Sequence, residues 1–514
     1  MDYKRSAIIF IAALAVFRIF YIYLTPFDLS PDEAHYWEWS RRLDWSYYSK
    51  GPLVAYVIAF FTKLLGATDL GVRFGSVVFS ALASYGIFLA GRMLFDDPRV
   101  GFYSAVVANV TPIFAIGSIL MTTDVLLVFF WVYTVVCVKK ALDDGGRFTR
   151  RGGRWWYAAG LLVGAGFLGK YTMVLLWPCL LLFVFFSPRD RFWLARTEPY
   201  VGALASLVVA SPVLIWNYAN GWVTFRHTMG QTHLADAAFS LAGAAEFVGS
   251  QAGILTPLVF AGVVYGAARA AGAGLRRRES GPLLAFFTSA PVFALFLLKG
   301  LHGKVQANWA IAAYVTAFPA AVWAFSEAYR RAVRPSGRRL LAGLAVAAIL
   351  MGGVMSFLAY FPWLVERAGV EGVLDGPPFN RVTGWADLGA KVSALKEDMD
   401  KSGQTFIISD TYQISSELAF YVEGNPVTYN VPTAARRMNQ YDLWPGFEGL
   451  KGGSALYVRG GDVELDAAVE EAFDRCEKVL ERLYMGSRYL KDFSVFKCYG
   501  FKGMRGPEDA RTRY

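Results

Sequence analysis

Between Asp28 and Pro52 the chain gathers groups suited to moving protons and holding phosphate. Ser30-Pro31-Asp32-Glu33 reads as a helix start, with Ser as cap, Pro in the first turn and Glu33 at the capping-box position. The cap accounts for its neighbours but not for Asp32, which is predicted to be the general base that takes a proton from an acceptor hydroxyl. His35 and Tyr36 follow on the same helix as candidate phosphate or sugar contacts, and Glu33 is a substrate-binding candidate besides its capping role. Lys50, just before Gly51-Pro52, stands at the start of a second surface helix predicted over 52–65. A cation there can neutralise a lipid phosphate, or it can simply snorkel at a membrane boundary. Asp124 opens an apolar run after Met121-Thr122-Thr123. An acid at membrane depth is usually functional, the alternative being a charge that favours the helix dipole.

Other charges extend this surface. Arg226 and His227 are candidates for phosphate binding. Arg18, Arg73 and Lys170 could each reach a phosphate or pair structurally. All four histidines, His35, His227, His233 and His302, fall outside the bilayer on one side, so a weak divalent-metal site at His35 and His227 is possible, although no ligand spacing is diagnostic and no cofactor is required.

The elements that must position these residues are membrane helices. Of 514 residues, 55% are hydrophobic and only 18% charged, against about 25% charged in a soluble protein. Runs long enough to cross a bilayer are predicted at 6–25, 70–94, 100–119, 123–141, 155–169, 171–187, 199–217, 248–270, 281–299, 307–326 and 339–360, about 11 spans. The first is too long, and too directly continued by a structured motif, for a cleaved signal peptide. Basic clusters at Lys4–Arg5, Arg92 and Arg99, 139–154 (with Arg147 and Arg150), 189–196, Arg276–Arg278 and 330–339 all fall on one side if the spans alternate. By the positive-inside rule that side is the cytoplasm. The net charge of +10 is therefore loop charge that orients a membrane protein, not a nucleic-acid footprint. The clusters at 147–154 and 189–196 must share a side, which makes 155–187 a hairpin.

After residue 360 the chain changes character, giving a membrane domain over 1–360 and an external domain over 361–514. The tail opens with Asp375, Pro377 and Pro378, then a helix at 386–402, a strand at Thr405–Ser409, a helix at 413–421 and extended runs at Pro426–Asn430, Ala455–Val458 and Phe493–Tyr499. Alternating strand and helix signals imply a small α/β domain. Cys476 and Cys498 can pair if it faces an oxidising compartment. A Walker loop and a dinucleotide fingerprint are absent from the sequence, and the Gly run at 160–169 reads as helix packing. A lipid or polysaccharide transporter is the main rival reading, but neither internal repeats nor paired broken helices are evident.

Ser30-Pro31-Asp32-Glu33-Ala34-His35-Tyr36-Trp37 resembles the Asp-Glu signature in the first external loop of the protein O-mannosyltransferase and aminoarabinose transferase superfamily. Tyr48-Ser49-Lys50-Gly51-Pro52-Leu53 is similar to its Lys-Pro-Pro-Leu stretch, and Thr122-Thr123-Asp124 to its second acidic motif. Gly169-Lys170-Tyr171-Thr172 is similar to bacterial members. The resemblance covers roughly 1–330 and implies the polytopic α-helical C-type glycosyltransferase fold, with the extracytoplasmic α/β domain attached. It also implies sugar transfer from a polyprenyl phosphate, with inversion, to lipid A, another glycolipid or a protein on the periplasmic face of the bacterial inner membrane. By position, Asp32 would be the base, Asp124 would orient donor or acceptor, and Lys50 would hold the donor phosphate. Two departures stand out: His35 where many members have Arg, and Gly51 in place of the first Pro, which should loosen the helix start.

Overall fold

The computed structural model describes residues 2–145, 151–232, 239–370, 372–373, 376, 379–431, 438–485 and 488–504. Arg147, Arg150, His233, Asp375, Pro377 and Pro378 lie outside the described residues.

The membrane part begins with α1 (Tyr3–Leu24), followed by two short helices, α2 (Pro31–Ser40) and α3 (Leu53–Leu65), and by α4 (Asp69–Phe95). The next apolar run, expected as one helix at 100–119, is broken into α5 (Pro98–Val110) and α6 (Pro112–Gly117). Pro112 has no N–H to continue the ladder, and it pushes Thr111 into extended backbone. Then come α7 (Thr123–Asp144), α8 (Gly153–Gly169), α9 (Leu176–Phe186), α10 (Glu198–Ala219), α11 (Val223–Thr232) and α12 (Leu241–Leu255). The series closes with α13 (Pro257–Arg277), α14 (Ser280–Phe287), α15 (Ala290–Gly300), α16 (Ile311–Arg331), α17 (Pro335–Tyr360) and the short α18 (Trp363–Arg367).

Among the described residues, eight helical stretches are long and apolar enough to cross a membrane. The 155–187 run is two helices meeting at Lys170, whose extended backbone separates α8 from α9. The expected span 248–270 is displaced: Thr256, at φ 75°, and Pro257 end α12 and start α13, so the long apolar helix is Pro257–Arg277. Apolar composition continues across that break and hid it. The glycines of α8 serve close packing. A Cβ on Gly160 would sit 2.0 Å from the Gly202 carbonyl oxygen, so α8 and α10 cross backbone to backbone.

Beyond α17 the chain forms α19 (Trp385–Asp400), β1 (Thr405–Ser409), α20 (Tyr412–Tyr421), β2 (Thr428–Asn430), β3 (Ser454–Gly460), α21 (Ala467–Ala472), β4 (Arg475–Met485) and β5 (Arg488–Tyr499). The sheet order is β2-β1-β3-β5-β4. β1 is parallel to both β2 and β3, and β5 is antiparallel to both β3 and β4. α19 and α20 cover one face, burying Leu388, Val392 and Leu418 against Ile407, Leu456 and Val495. The sequence pattern missed β4, whose charges hide its alternation. Cys476 and Cys498 face each other across β4 and β5 and form a disulfide.

Candidate active site

The site grows from α2. Ser30 and Glu33 form the expected capping box, but Glu33 does more than cap. Its carboxylate is fully buried, takes two 3.0 Å bonds from the Arg73 guanidinium and accepts from the Met121 backbone N–H at 2.9 Å. One side chain thus ties α2, α4 and the loop leading into α7, fixing Asp32 relative to Asp124. Glu33 is therefore a strut and is sealed from substrate, contrary to its expected binding role. Arg73 is its partner.

His35 also departs from expectation. Trp39 Nε1 can only donate, and it donates to His35 Nε2 at 3.1 Å. The ring proton therefore sits on Nδ1, which donates to Ser416 Oγ at 2.9 Å. Both nitrogens are occupied and burial pushes the imidazole down to about 3, so His35 is a neutral tie to α20 with no lone pair for a metal and no charge for a phosphate. Among the described residues, no group of three or more His, Cys, Asp or Glu is arranged to hold a metal ion.

The remaining motifs converge. Asp124, at the start of α7, is paired with Lys170 at the α8–α9 turn and accepts from Asn308 Nδ2 at 2.6 Å. Asp32 lies half-exposed, its side chain 47% accessible. Tyr412 Oη donates to Asp32 Oδ1 at 3.3 Å, and Arg381 Nη2 lies 3.9 Å from Oδ2. The Tyr36 hydroxyl is buried within the field of Asp32, Tyr412 and Asp124, and burial first, then these neighbours, holds it well above the usual phenol range.

Lys50 is set against the same groups. Burial holds its ammonium below the ordinary lysine value, Lys170 acts in the same sense, and Asp32 and Asp124 oppose. Among the described residues neither carboxylate comes within ion-pair distance of Lys50, unlike Lys170. A half-buried cation without a fixed counter-charge is costly to keep. Its backbone is pinned: a Cβ on Gly51 would meet the Leu168 carbonyl oxygen at 2.1 Å. Gly51 therefore presses the loop onto the end of α8 rather than loosening the helix start.

Arg226 lies exposed on α11, and the His227 ring sits 4.8 Å from that of Tyr48. Thr224 on the same helix donates to the Tyr47 carbonyl at 3.0 Å, so α11 backs the Lys50 loop from outside. Arg18 stays away from the site, buried in α1 and donating to Asn109 Oδ1 at 2.8 Å.

Sequence reasoning missed Asn308, Arg381 and Tyr412. Asn308, at the mouth of an apolar run, carries the same kind of signal as Asp124. Arg381 and Tyr412 carry none, because only the docking of the C-terminal domain brings them to Asp32.

Comparisons with known proteins agree with this architecture. Residues 49–216 match the family model for dolichyl-phosphate-mannose-protein mannosyltransferase. The lipid A galacturonosyltransferase RgtD of Rhizobium johnstonii is 27% identical over 423 residues, covering 81% of this chain and 82% of that protein. The undecaprenyl phosphate-alpha-4-amino-4-deoxy-L-arabinose arabinosyl transferase of Pseudomonas paraeruginosa is 30% identical over 201 residues, 37% of this chain and 36% of its own length. The crystal structure of ArnT from Cupriavidus metallidurans bound to undecaprenyl phosphate superposes with a TM-score of 0.63 at 15% identity, over 95% of this chain and 97% of that one. Motifs, fold and relatives together make the chain a membrane glycosyltransferase with the C-type fold, similar to the lipid A galacturonosyltransferase and the aminoarabinose transferases.

Proposed function

We propose that this chain transfers a sugar from a polyprenyl-phosphate donor to a glycolipid acceptor of the lipid A type, on the periplasmic face of the bacterial inner membrane. The observation that carries this reading is the half-buried Lys50 ammonium, without an ion-pair partner among the described residues, set in the field of Asp32 and Asp124. A leaving phosphate monoester needs a fixed cation in a water-poor site, and an acceptor hydroxyl needs one carboxylate. Lys50 holds the phosphate, with Arg226 nearer the rim. Asp32, half-exposed and without a bidentate partner among the described residues, takes the proton. Asp124, locked by Lys170 and Asn308, is an acceptor aimed at sugar hydroxyls. Tyr36 supplies a neutral donor between the two acids.

The reaction is a single displacement. The acceptor oxygen forms its bond to the anomeric carbon from the face opposite the phosphate. The bond from that carbon to the phosphate oxygen breaks, the electron pair leaves with polyprenyl phosphate, and the proton passes to Asp32. The anomeric centre inverts. Every role in this scheme is filled by a side chain, so turnover is expected to survive a chelator.

Two further observations support the setting. A cross-strand disulfide suits an oxidising compartment, in line with a periplasmic C-terminal domain. The relative matched over most of its length is named for galacturonate transfer to lipid A, which makes a hexuronic acid the first sugar to try and aminoarabinose the second. The test is a transfer assay with defined polyprenyl-phosphate sugars and lipid A acceptors. Wild type should move labelled sugar, and Asp32→Asn should lose activity by at least about 100-fold while still binding the donor lipid. Wild-type-like turnover by Asp32→Asn would remove the base assignment.

A further inference from the structure

The Asp32 carboxylate has two polar side-chain partners among the described residues, and both come from the C-terminal domain. Tyr412 Oη donates to Oδ1 at 3.3 Å, while Arg381 Nη2 stands 3.9 Å from Oδ2. Among the described residues, no side chain of the membrane helices or of α2 hydrogen-bonds or ion-pairs with this group.

Both partners are themselves held in place. Tyr412 is the first residue of α20, capped by Thr411. Its ring lies 4.8 Å from that of His35, whose Nδ1 is bonded to Ser416 one turn further along α20. Arg381 precedes a double staple. The Asp28 N–H donates to the Val382 carbonyl at 2.8 Å, and the Trp385 N–H donates to Asp28 Oδ2 at 2.7 Å. The Arg381 carbonyl accepts from Trp385 Nε1 at 2.8 Å.

We propose that the C-terminal domain contributes two positioning residues to the transfer site, Tyr412 and Arg381, which aim the Asp32 carboxylate at the acceptor hydroxyl. The inference rests on the reading of Asp32 as the base. An unheld carboxylate on a helix start rotates about its side-chain torsions, and a base is effective only within hydrogen-bond reach of its proton. A third group that orients the base is a recurrent arrangement in catalysis. The long Tyr412 contact fits a ligand-free site, where such bonds lengthen and tighten only once substrate is bound.

The experiment uses the full-length protein in nanodiscs, with Tyr412→Phe, Arg381→Gln, the double variant and Arg381→Lys. Tyr412→Phe and Arg381→Gln should each lower kcat about tenfold and leave KM for the polyprenyl-phosphate donor within about twofold, while Arg381→Lys should keep part of the activity that Arg381→Gln loses. Thermal stability and resistance of the tail to protease should match wild type, because the ties from His35 to Ser416 and from Leu29 to Tyr421 are untouched. Wild-type kcat in the double variant would overturn the proposal. So would a loss of kcat accompanied by a raised donor KM or an undocked tail, which would make both residues structural. An active Asp32→Asn enzyme would instead strike at the base assignment itself, and the two failures are thus distinguishable.

Discussion

At the scale of single residues, the site separates Asp32 and Lys50, which are only partly buried, from Glu33 and His35, which are buried ties that hold the frame. Asp32, Lys50 and Asp124 stand out in the sequence because each is a charge that local structure leaves unexplained, and the fold brings them into one electrostatic neighbourhood. Glu33 and His35 were misread because their partners, Arg73 and Ser416, are distant in sequence, the latter by 381 positions. A buried polar side chain is defined by its partner, and no local pattern names it. The same interface holds Glu38, fully buried and bonded to the Tyr441 hydroxyl, with burial raising its carboxyl from the ordinary 4.5 to about 7. Between those values the folded state keeps a proton that the unfolded chain has released. The stability from protonated Glu38 is therefore complete below about 4.5 and lost as pH rises through 7. His35 works in the opposite sense: its contribution is present above 6.5 and lost as pH falls toward 3. Glu38→Gln should accordingly raise thermal stability at pH 8, on the order of 1–3 kcal/mol, and leave it near wild type at pH 4. Differential scanning fluorimetry across that range checks it. A gain equal at both pH values would show that Glu38 does not titrate in the docked state.

At the scale of elements, periodicity and basic clusters fixed most of the helices but not their breaks. Pro112 and the Thr256-Pro257 step split apolar runs whose composition is continuous. The hairpin at Lys170 was recoverable, because charge clusters on one side demand an even number of crossings. Gly51 carries the strongest expectation here. Its α-carbon faces the Leu168 carbonyl so closely that any side chain must push the Lys50 loop off α8. Gly51→Ala should destabilise by about 1–3 kcal/mol and cut turnover, since Lys50 and the Lys170 turn would lose their register. Unchanged melting temperature and turnover in that variant would mean the loop is not pinned there.

At the scale of the whole molecule, the membrane class and the α/β character of the tail were readable, whereas the docking of one on the other was not. Strand β4 escaped notice because its alternation is masked by charges at the sheet edge. The docking depends on pairs such as Arg41 with the Asn425 carbonyl at 2.8 Å and Tyr48 N–H with Gln440 Oε1 at 2.7 Å. Each joins segments hundreds of residues apart. The tail is thereby part of the site's construction rather than an appendage. The whole assembly sets the Lys50 ammonium, from the α2–α3 loop, in the field of two acids brought by α2 and α7, with no ion pair to it among the described residues. The direct measurement is the affinity of purified wild type and Lys50→Gln, in nanodiscs, for undecaprenyl phosphate and for undecaprenol without phosphate. Loss of one charge-assisted contact should weaken phosphate-lipid binding at least about tenfold and leave the alcohol's binding unchanged. Equal affinity of both proteins for undecaprenyl phosphate would contradict the assignment of Lys50 as the phosphate-binding residue.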